Sequence, residues 1–301
     1  MANANEGKKT HWTVARHVVQ VLMLVLFALP MIVAGWGLAG GFASSDDALA
    51  TPAELVFFGT LSSSKIGPLT LLDPFAVLQV VAASKSFALE WLVGLLPVLV
   101  VYGLVRGRAF CGWTCPVNLL LEIVDFLRGK LGISVEERVL PRHVKLYVAL
   151  GVLVLSAIVG VPVFEAISPL SFINKGIVLG SMTGGITLVA IILAELFWGH
   201  RVWCRSICPL GGFYEAVGKV GLVNVKIDHD TCIGCNKCKK ACLCDPIILE
   251  PAIEGRASAV LAGDCMACGK CVDACPTSSL RLGIGRGSEA AQSATIGEAD
   301  S

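Results

Sequence analysis

Two cysteine runs constrain this chain more than any other feature. One reads Cys232-Ile-Gly-Cys235-Asn-Lys-Cys238-Lys-Lys-Ala-Cys242, the other Cys265-Met-Ala-Cys268-Gly-Lys-Cys271-Val-Asp-Ala-Cys275-Pro276. Both follow the spacing C-x2-C-x2-C-x3-C. Three thiolates on so tight a loop grip three corners of one 4Fe–4S cube. The fourth, at the start of a helix turned away from that loop, reaches the other cube. This assigns Cys232, Cys235, Cys238 and Cys275 to one cluster, and Cys265, Cys268, Cys271 and Cys242 to a second. Gly234 and Gly269 lie inside the loops, where backbone must come close to sulfide. Zinc, the competing metal, usually takes its ligands from two C-x2-C pairs and not from two runs of four.

This is the two-cluster bacterial ferredoxin pattern, with one departure. The first run lacks a proline at 243 and continues Cys242-Leu243-Cys244-Asp245-Pro246. Cys244 is therefore a spare thiol or a competitor for Cys242 as ligand. The 13 cysteines fall into four motifs, whereas a disulfide framework would scatter them. Thiolate ligands in a reducing compartment are the better reading.

The rest of the chain is apolar. Hydrophobic residues make up 55 % before glycine is counted, and the mean hydropathy is +0.74. Soluble domains sit at about 45–50 % with glycine included, so the excess is expected in lipid. Apolar stretches at 18–39, 87–105, 146–164 and 177–199, with Glu90 and Glu195 near the ends of the second and fourth, read as four transmembrane helices. The first is longer than the apolar part of a signal peptide. Residues 40–86 read as a loop containing a short apolar run, 69–83, that lies in the interface or re-enters. The linker 106–145 carries Arg106, Arg108, Arg128, Lys130, Arg138, Arg142 and Lys145. By the positive-inside rule, both termini are then cytoplasmic. The expected fold is a polytopic four-helix membrane protein with a small α+β two-cluster domain at its C-terminus. Its parts are a cytoplasmic segment 1–17, a membrane domain 18–222, a cluster domain 223–282 and a disordered tail 283–301. No basic run or aromatic-interleaved basic face points to nucleic acid.

The membrane part contains a repeat. Arg108-Ala-Phe-Cys111-x3-Cys115-Pro116 matches Arg201-Val-Trp-Cys204-x3-Cys208-Pro209 at an offset of 93 residues. Each copy follows a span and precedes an amphipathic stretch. The first of these runs to Ile133, with Leu120, Ile123, Val124 and Leu127 on one side. Thiols at i and i+4 share one side of a helical turn, and the proline restricts the residue before it. Cys111, Cys115, Cys204 and Cys208 can meet at a pseudo-symmetry axis and hold a third metal centre, or they are small buried hydrophobes. Arg108 and Arg201 are charge anchors or stabilisers of thiolate. Glu90 and Glu195 are acids near span ends. They snorkel to water or handle protons, and Glu195 is the stronger candidate because it precedes the second CxxxCP motif. His143 reads as a surface histidine. Trp36, Trp91, Trp113, Trp198 and Trp203 read as an aromatic belt.

The sequence Gly107-Arg108-Ala-Phe-Cys111-Gly-Trp-Thr-Cys115-Pro116-Val-Asn118, then Cys204-x3-Cys208-Pro209-Leu-Gly-Gly-Phe-Tyr214, then the two cysteine runs, resembles the NapH family over nearly the whole chain. The motifs Ser62-Ser-Ser64 and Leu72-Asp73-Pro74 resemble it too. MauN and the membrane part of NosR share much of the layout. The resemblance implies a quinol dehydrogenase subunit of the bacterial inner membrane. It would pass electrons through a periplasmic iron–sulfur partner of the NapG type toward nitrate reductase. Quinol would be its substrate, with no nitrate-reducing centre of its own. The alternatives are electron transfer in methylamine utilisation, or a membrane redox sensor or maturation protein.

Overall fold

The computed structural model describes residues 11–33, 57–59, 63–132, 141, 143–173, 185–261 and 263–285, with backbone alone at 28–33, 57, 58 and 66. The helices are α1 (Trp12–Val33), α2 (Pro74–Ser84), α3 (Glu90–Val105), α4 (Ala109–Trp113), α5 (Pro116–Leu131), α6 (Val144–Val159), α7 (Val163–Ile167), α8 (Gly185–Phe197), α9 (Pro209–Gly218), α10 (Lys237–Ala241), α11 (Glu250–Ile253) and α12 (Lys270–Asp273). A π-helical turn covers Trp203–Ile207 and a 3-10 turn Pro246–Leu249. The strands are β1 (Phe57–Gly59), β2 (Ser63–Ile66), β3 (Leu69–Leu72), β4 (Val223–Ile227) and β5 (Leu280–Ile284). Contacts divide the chain into two units: Met1–Val18 with Tyr102–Trp113 and Tyr214–Ser301, and Val19–Val101 with Thr114–Phe213.

In the second of these units, β1, β2 and β3 form an antiparallel meander, where the sequence suggested only loop. The Asp73 carboxylate accepts the Ala76 N–H at 3.0 Å and caps α2, with Pro74 at the first helical position. Both residues satisfy or remove an otherwise orphaned N–H. Phe75, 1 % exposed, packs its ring against Phe164 and Phe213 at centroid distances of 5.9 and 5.8 Å. The buried Gln79 amide oxygen accepts the Phe164 N–H at 3.0 Å. At Gly94 of α3, a Cβ would lie 2.1 Å from the Thr70 carbonyl oxygen, so glycine alone permits that crossing.

The four expected spans are not formed among the described residues. Among the described residues, no helix is long and apolar enough to cross a membrane. The reasons are local. α3 and α6 have 16 residues each and α8 has 13. Sixteen residues rise about 24 Å, against a hydrocarbon core of about 30 Å. α6 stops at Gly160, in the left-handed region at φ 76°, where its N–H bonds to the Ser156 carbonyl at 2.9 Å, and Pro162 follows two residues later. α1 starts six residues before the expected span, and its first half carries the buried Arg16 and Gln20. Part of the expected first and fourth spans, and the whole segment 34–56, lie outside the described residues.

The amphipathic helix α5 is present, and its buried face shares only Val124 with the expected side. Val117, Leu121 and Val124 are buried, while Ile123 and Leu127 are about half exposed. In the other unit, β4 and β5 pair antiparallel with Val225 opposite Leu282 and Ile227 opposite Leu280. Val225, Ile227 and Leu280 face the core. β5 runs to Ile284, and Gly285 donates to the Leu222 carbonyl at 2.9 Å, so order continues past residue 282. The rest of the expected tail, 286–301, lies outside the described residues.

Asp73→Ala removes the α2 cap and is expected to cost about 1 kcal/mol. The check is a lowered midpoint of thermal or denaturant unfolding, with Asp73→Asn closer to wild type.

Candidate iron–sulfur site

The two cysteine loops have matching backbones. Gly234 and Ala267, each one residue before the second cysteine of its loop, are left-handed at φ 64° and 48°. Asn236 and Gly269, each one residue after it, are left-handed at φ 57° and 73°. Each loop then enters its short helix, α10 or α12. Two reversals close together turn three cysteines toward a common point. Glycine and asparagine accept this conformation readily, whereas Ala267 pays about 1–2 kcal/mol for it.

Cys232, Cys235, Cys238 and Cys275 all line one cleft, together with Ile227, Ile253 and Leu280. These are the four cysteines that the spacing assigns to one cluster. The loop is open to water: Cys235 is exposed, and Ile233 is 66 % exposed. Burial raises the Cys275 thiol, but hydrogen bonds from the Thr277 side chain and from the N–H groups of Thr277, Ser279 and Leu280 outweigh it and lower the pKa. Those donors are already aimed at a thiolate.

The second set is enclosed. Cys265 and Cys271 sit in the apolar core with Val225, Ile248, Met266 and Val272, and Cys242 and Cys268 pack against it. Burial, with the neighbouring sulfurs, pushes Cys268 up to about 12 and raises Cys265 and Cys271. Such thiols stay protonated alone, and iron coordination displaces the protons. Both donor sets therefore fit a 4Fe–4S group in sulfur chemistry and in placement.

The enclosure comes from a segment that sequence reading left with the membrane part. Arg108, 1 % exposed, donates to the Asp264 carboxylate at 2.9 Å and to the Asp264 carbonyl at 3.2 Å. Arg106 donates to the Val260 carbonyl at 3.0 Å and to the Asn224 side-chain oxygen. The Trp113 indole N–H donates to the Ala267 carbonyl at 3.0 Å, inside the cysteine loop. A Cβ on Gly112 would meet the Met266 carbonyl oxygen at 3.0 Å. Trp12 stands edge-on to Trp113 at 6.2 Å and packs over Gly269, and Asp273 accepts both N–H groups of Trp12 and Thr13. Arg108 is thus no surface anchor, and Trp113 is a hydrogen-bonding clamp on the loop. Cys111, carried by α4, packs against the same core as the second cysteine set.

Cys115 and Cys204 lie in the other unit, where both pack on Val117, Leu121 and Ile191 beside Trp203. Cys115 and Cys208 are extended residues, each followed by a proline that opens a helix, as the steric effect of proline requires. The second motif carries a π-helical turn, closed by the Cys208 N–H on the Trp203 carbonyl at 2.8 Å. Close to it lies a polar knot that the sequence did not show. Glu195, 1 % exposed, accepts the Arg201 backbone N–H with both carboxylate oxygens at 2.8 Å. Arg201, left-handed at φ 59°, donates to Asp125 at 3.0 Å and to the Asn118 side-chain oxygen at 2.6 Å. His200 Nδ1 lies 3.1 Å from Asp125 and 3.6 Å from Glu195, and Arg128 reaches His200 and the Glu195 carbonyl. Asp125, Glu195 and His200 have metal-binding donor types within 4.8 Å of one another, but two guanidinium groups already supply the countercharge. Glu195 is therefore fully internal, whereas Glu90 is exposed at the start of α3 and His143 is exposed at the start of α6. Trp36 lies outside the described residues.

Electrostatics follows from that packing. Burial raises Glu195, helped by the charge of Asp125 and opposed by the Arg201 N–H. Burial raises Asp125 as well, but the His200 hydrogen bond and the Arg201 charge outweigh it and bring it to about 2. Burial lowers Arg201, but Asp125, Cys204, Glu122 and Glu195 more than restore it.

A folded-state pKa below the unfolded one stabilises the fold above the unfolded value, and the gain is lost as pH falls toward the folded value. Asp125→Asn should therefore destabilise the protein near neutral pH, and the difference from wild type should shrink as pH drops from about 4 toward 2. Denaturant midpoints measured across that window check it. Arg108→Ala leaves Asp264 buried without its cation, and about 3–5 kcal/mol of stability should go with it. Arg108→Met combined with Asp264→Leu should recover most of that loss.

The comparisons agree with this geometry. A family model described as a 4Fe-4S dicluster domain matches residues 224–276, and one described as a 4Fe-4S binding domain matches twice, at 87–134 and 181–228. The two copies cover the two CxxxCP motifs. The methylamine utilization ferredoxin-type protein MauN of Methylorubrum extorquens is 34 % identical over 90 % of this chain and 88 % of its own length. MauN of Paracoccus denitrificans is 33 % identical over 84 % and 83 %. The ferredoxin-type protein NapH of Escherichia coli is 30 % identical over 88 % and 86 %. No solved structure matches the chain. With two cysteine loops shaped alike, 4Fe–4S domain models over both cysteine classes, and likeness along nearly its full length, the chain belongs to the NapH and MauN family of ferredoxin-type electron-transfer proteins.

Proposed function

We propose that the chain is the electron-passing subunit of a quinol dehydrogenase. In this reading it holds two 4Fe–4S clusters, one at Cys232, Cys235, Cys238 and Cys275 and one at Cys265, Cys268, Cys271 and Cys242. It hands electrons to an iron–sulfur partner of the NapG type on the way to a periplasmic nitrate reductase. The observation that carries the electron-transfer part is the pair of cysteine loops with matching left-handed turns, one open to solvent and one enclosed. Likeness to NapH supports the nitrate side. Each cluster, when bound, takes and gives one electron.

Quinol oxidation releases two protons for its two electrons, so the chain needs a proton acceptor. Glu195 is our candidate. It is a buried carboxylate with a raised pKa, and His200, about one-fifth exposed, lies 3.6 Å away as a path toward water. A redox or metal-binding role of the CxxxCP cysteines Cys111, Cys115, Cys204 and Cys208 belongs to the same proposal, supported by the doubled 4Fe-4S binding match. So does a place at the bacterial inner membrane. Its support is the apolar side chains left exposed on α3, α6 and α8, among them Leu96, Leu150, Ile158, Ile186 and Val189.

A second reading, electron transfer in methylamine utilisation, is favoured by the 34 % and 33 % identities to MauN proteins. The two readings share the cysteine chemistry and differ in the partner.

The test is quinol-driven reduction of the clusters, followed by EPR beside dithionite reduction of the same sample. Wild type should be reduced by both. Glu195→Gln should slow the quinol reaction by about 10²-fold or more and leave dithionite reduction intact, with Glu90→Gln near wild type. Clusters that accept electrons from dithionite and never from quinol would sink the quinol reading while leaving electron transfer standing.

A further inference from the structure

We propose that Cys244 is a built-in alternative to Cys242 as the fourth ligand of the enclosed cluster site. The inference rests on the two-cluster reading above. Where the second run places proline directly after its last cysteine, the first run continues Leu243-Cys244. That insertion puts another thiol into the site. Cys244 is 4 % exposed and belongs to the same core as Cys265 and Cys271, with Cys242 and Cys268 packed against it. Cys244 thus shares a core with the four thiols assigned to that cluster, one thiol more than the group binds. Cys242 is the more accessible of the two contenders, and its sulfur lies 3.5 Å from the Asp245 carbonyl oxygen.

The surroundings hold Cys244 in place. Leu243 is 2 % exposed, and the Asp245 carboxylate caps the following 3-10 turn by accepting the Ile247 N–H at 3.1 Å. A cysteine kept only for packing would have no reason to lie against the other thiols. Cys244 does lie there, in the core that holds Cys265 and Cys271 with Cys242 and Cys268 packed against it. Exchange between the two needs no oxidant. One iron–sulfur bond to Cys242 breaks, one to Cys244 forms, the Cys244 proton passes to the Cys242 sulfur, and no electron moves. The consequence is a site that keeps its cube when either thiol is lost.

The experiment uses the full-length holoprotein as wild type, Cys242→Ala, Cys244→Ala and the double variant. It measures iron and sulfide per chain and records EPR spectra oxidised and dithionite-reduced. Wild type and both single variants should hold about eight irons with no three-iron signal. The double variant should lose iron from the enclosed site and show the three-iron signal. The reduced signal of the Cys232 set, unchanged in every variant, reports that each has folded, and serine versions replace any alanine variant lacking it. A three-iron signal or iron loss in either single variant overturns the proposal. So does a double variant with its cluster intact, which would make Cys111 the rescuing thiol. Wild type with a single cluster would instead fail the two-cluster reading itself.

Discussion

The buried contact between Arg108 and Asp264 holds the cluster-binding unit together. Both side chains are nearly free of solvent, and the guanidinium bonds the carboxylate and the carbonyl of the residue just before Cys265. Two charges taken out of water are costly unless their geometry is good and their remaining groups are satisfied. The guanidinium makes two such bonds, and they tie the segment from Arg106 to Trp113 to the cysteine loop. Once that segment is seated, Trp113 can donate to Ala267, and Gly112 can pass Met266 without a side chain in the way. Cys111 of that segment packs against the core that holds one cysteine set, and the other set is the more open.

That asymmetry has chemical weight. Two loops with the same spacing and nearly the same backbone turns end in different environments. The open one presents Cys235 and Ile233 to water, while the other lies among Val225, Ile248 and Val272. Solvent exposure and nearby charge are main settings of iron–sulfur potentials, so two sites of the same spacing need not behave alike. In the other unit the same logic produces the knot of Asp125, Glu195, His200 and Arg201. Acids and cations that would each be expensive to bury are buried together, and they hold the loop before the π-helical turn in a left-handed conformation at Arg201. Cys204 sits on that turn.

Length and periodicity were legible in the sequence, but where helices end was less so. The run from 146 to 164 is apolar throughout, yet α6 stops because Gly160 turns left-handed and Pro162 cannot continue the ladder. The region from 57 to 72 contains three short strands whose pairing is decided across the meander and not within any one strand. On α5 the expected apolar side matches the buried one only at Val124. Val117 and Leu121 are buried, and which stripe is covered depends on the packing of α8.

What the sequence by itself determined is the cysteine arithmetic: a C-x2-C-x2-C-x3-C run is short enough that backbone geometry alone gathers its first three sulfurs. The sequence also showed the doubled CxxxCP motif, because a repeat is visible without knowing where its copies lie. Tertiary structure alone decided that Arg108 pairs with Asp264, 156 residues away, that Glu195 is internal, and that Cys244 joins the enclosed thiols. Each of these depends on which distant groups share a volume from which water is excluded. Burial of that kind changes the cost of a charge and the pKa of a thiol, and it cannot be read from the residues adjacent in the chain.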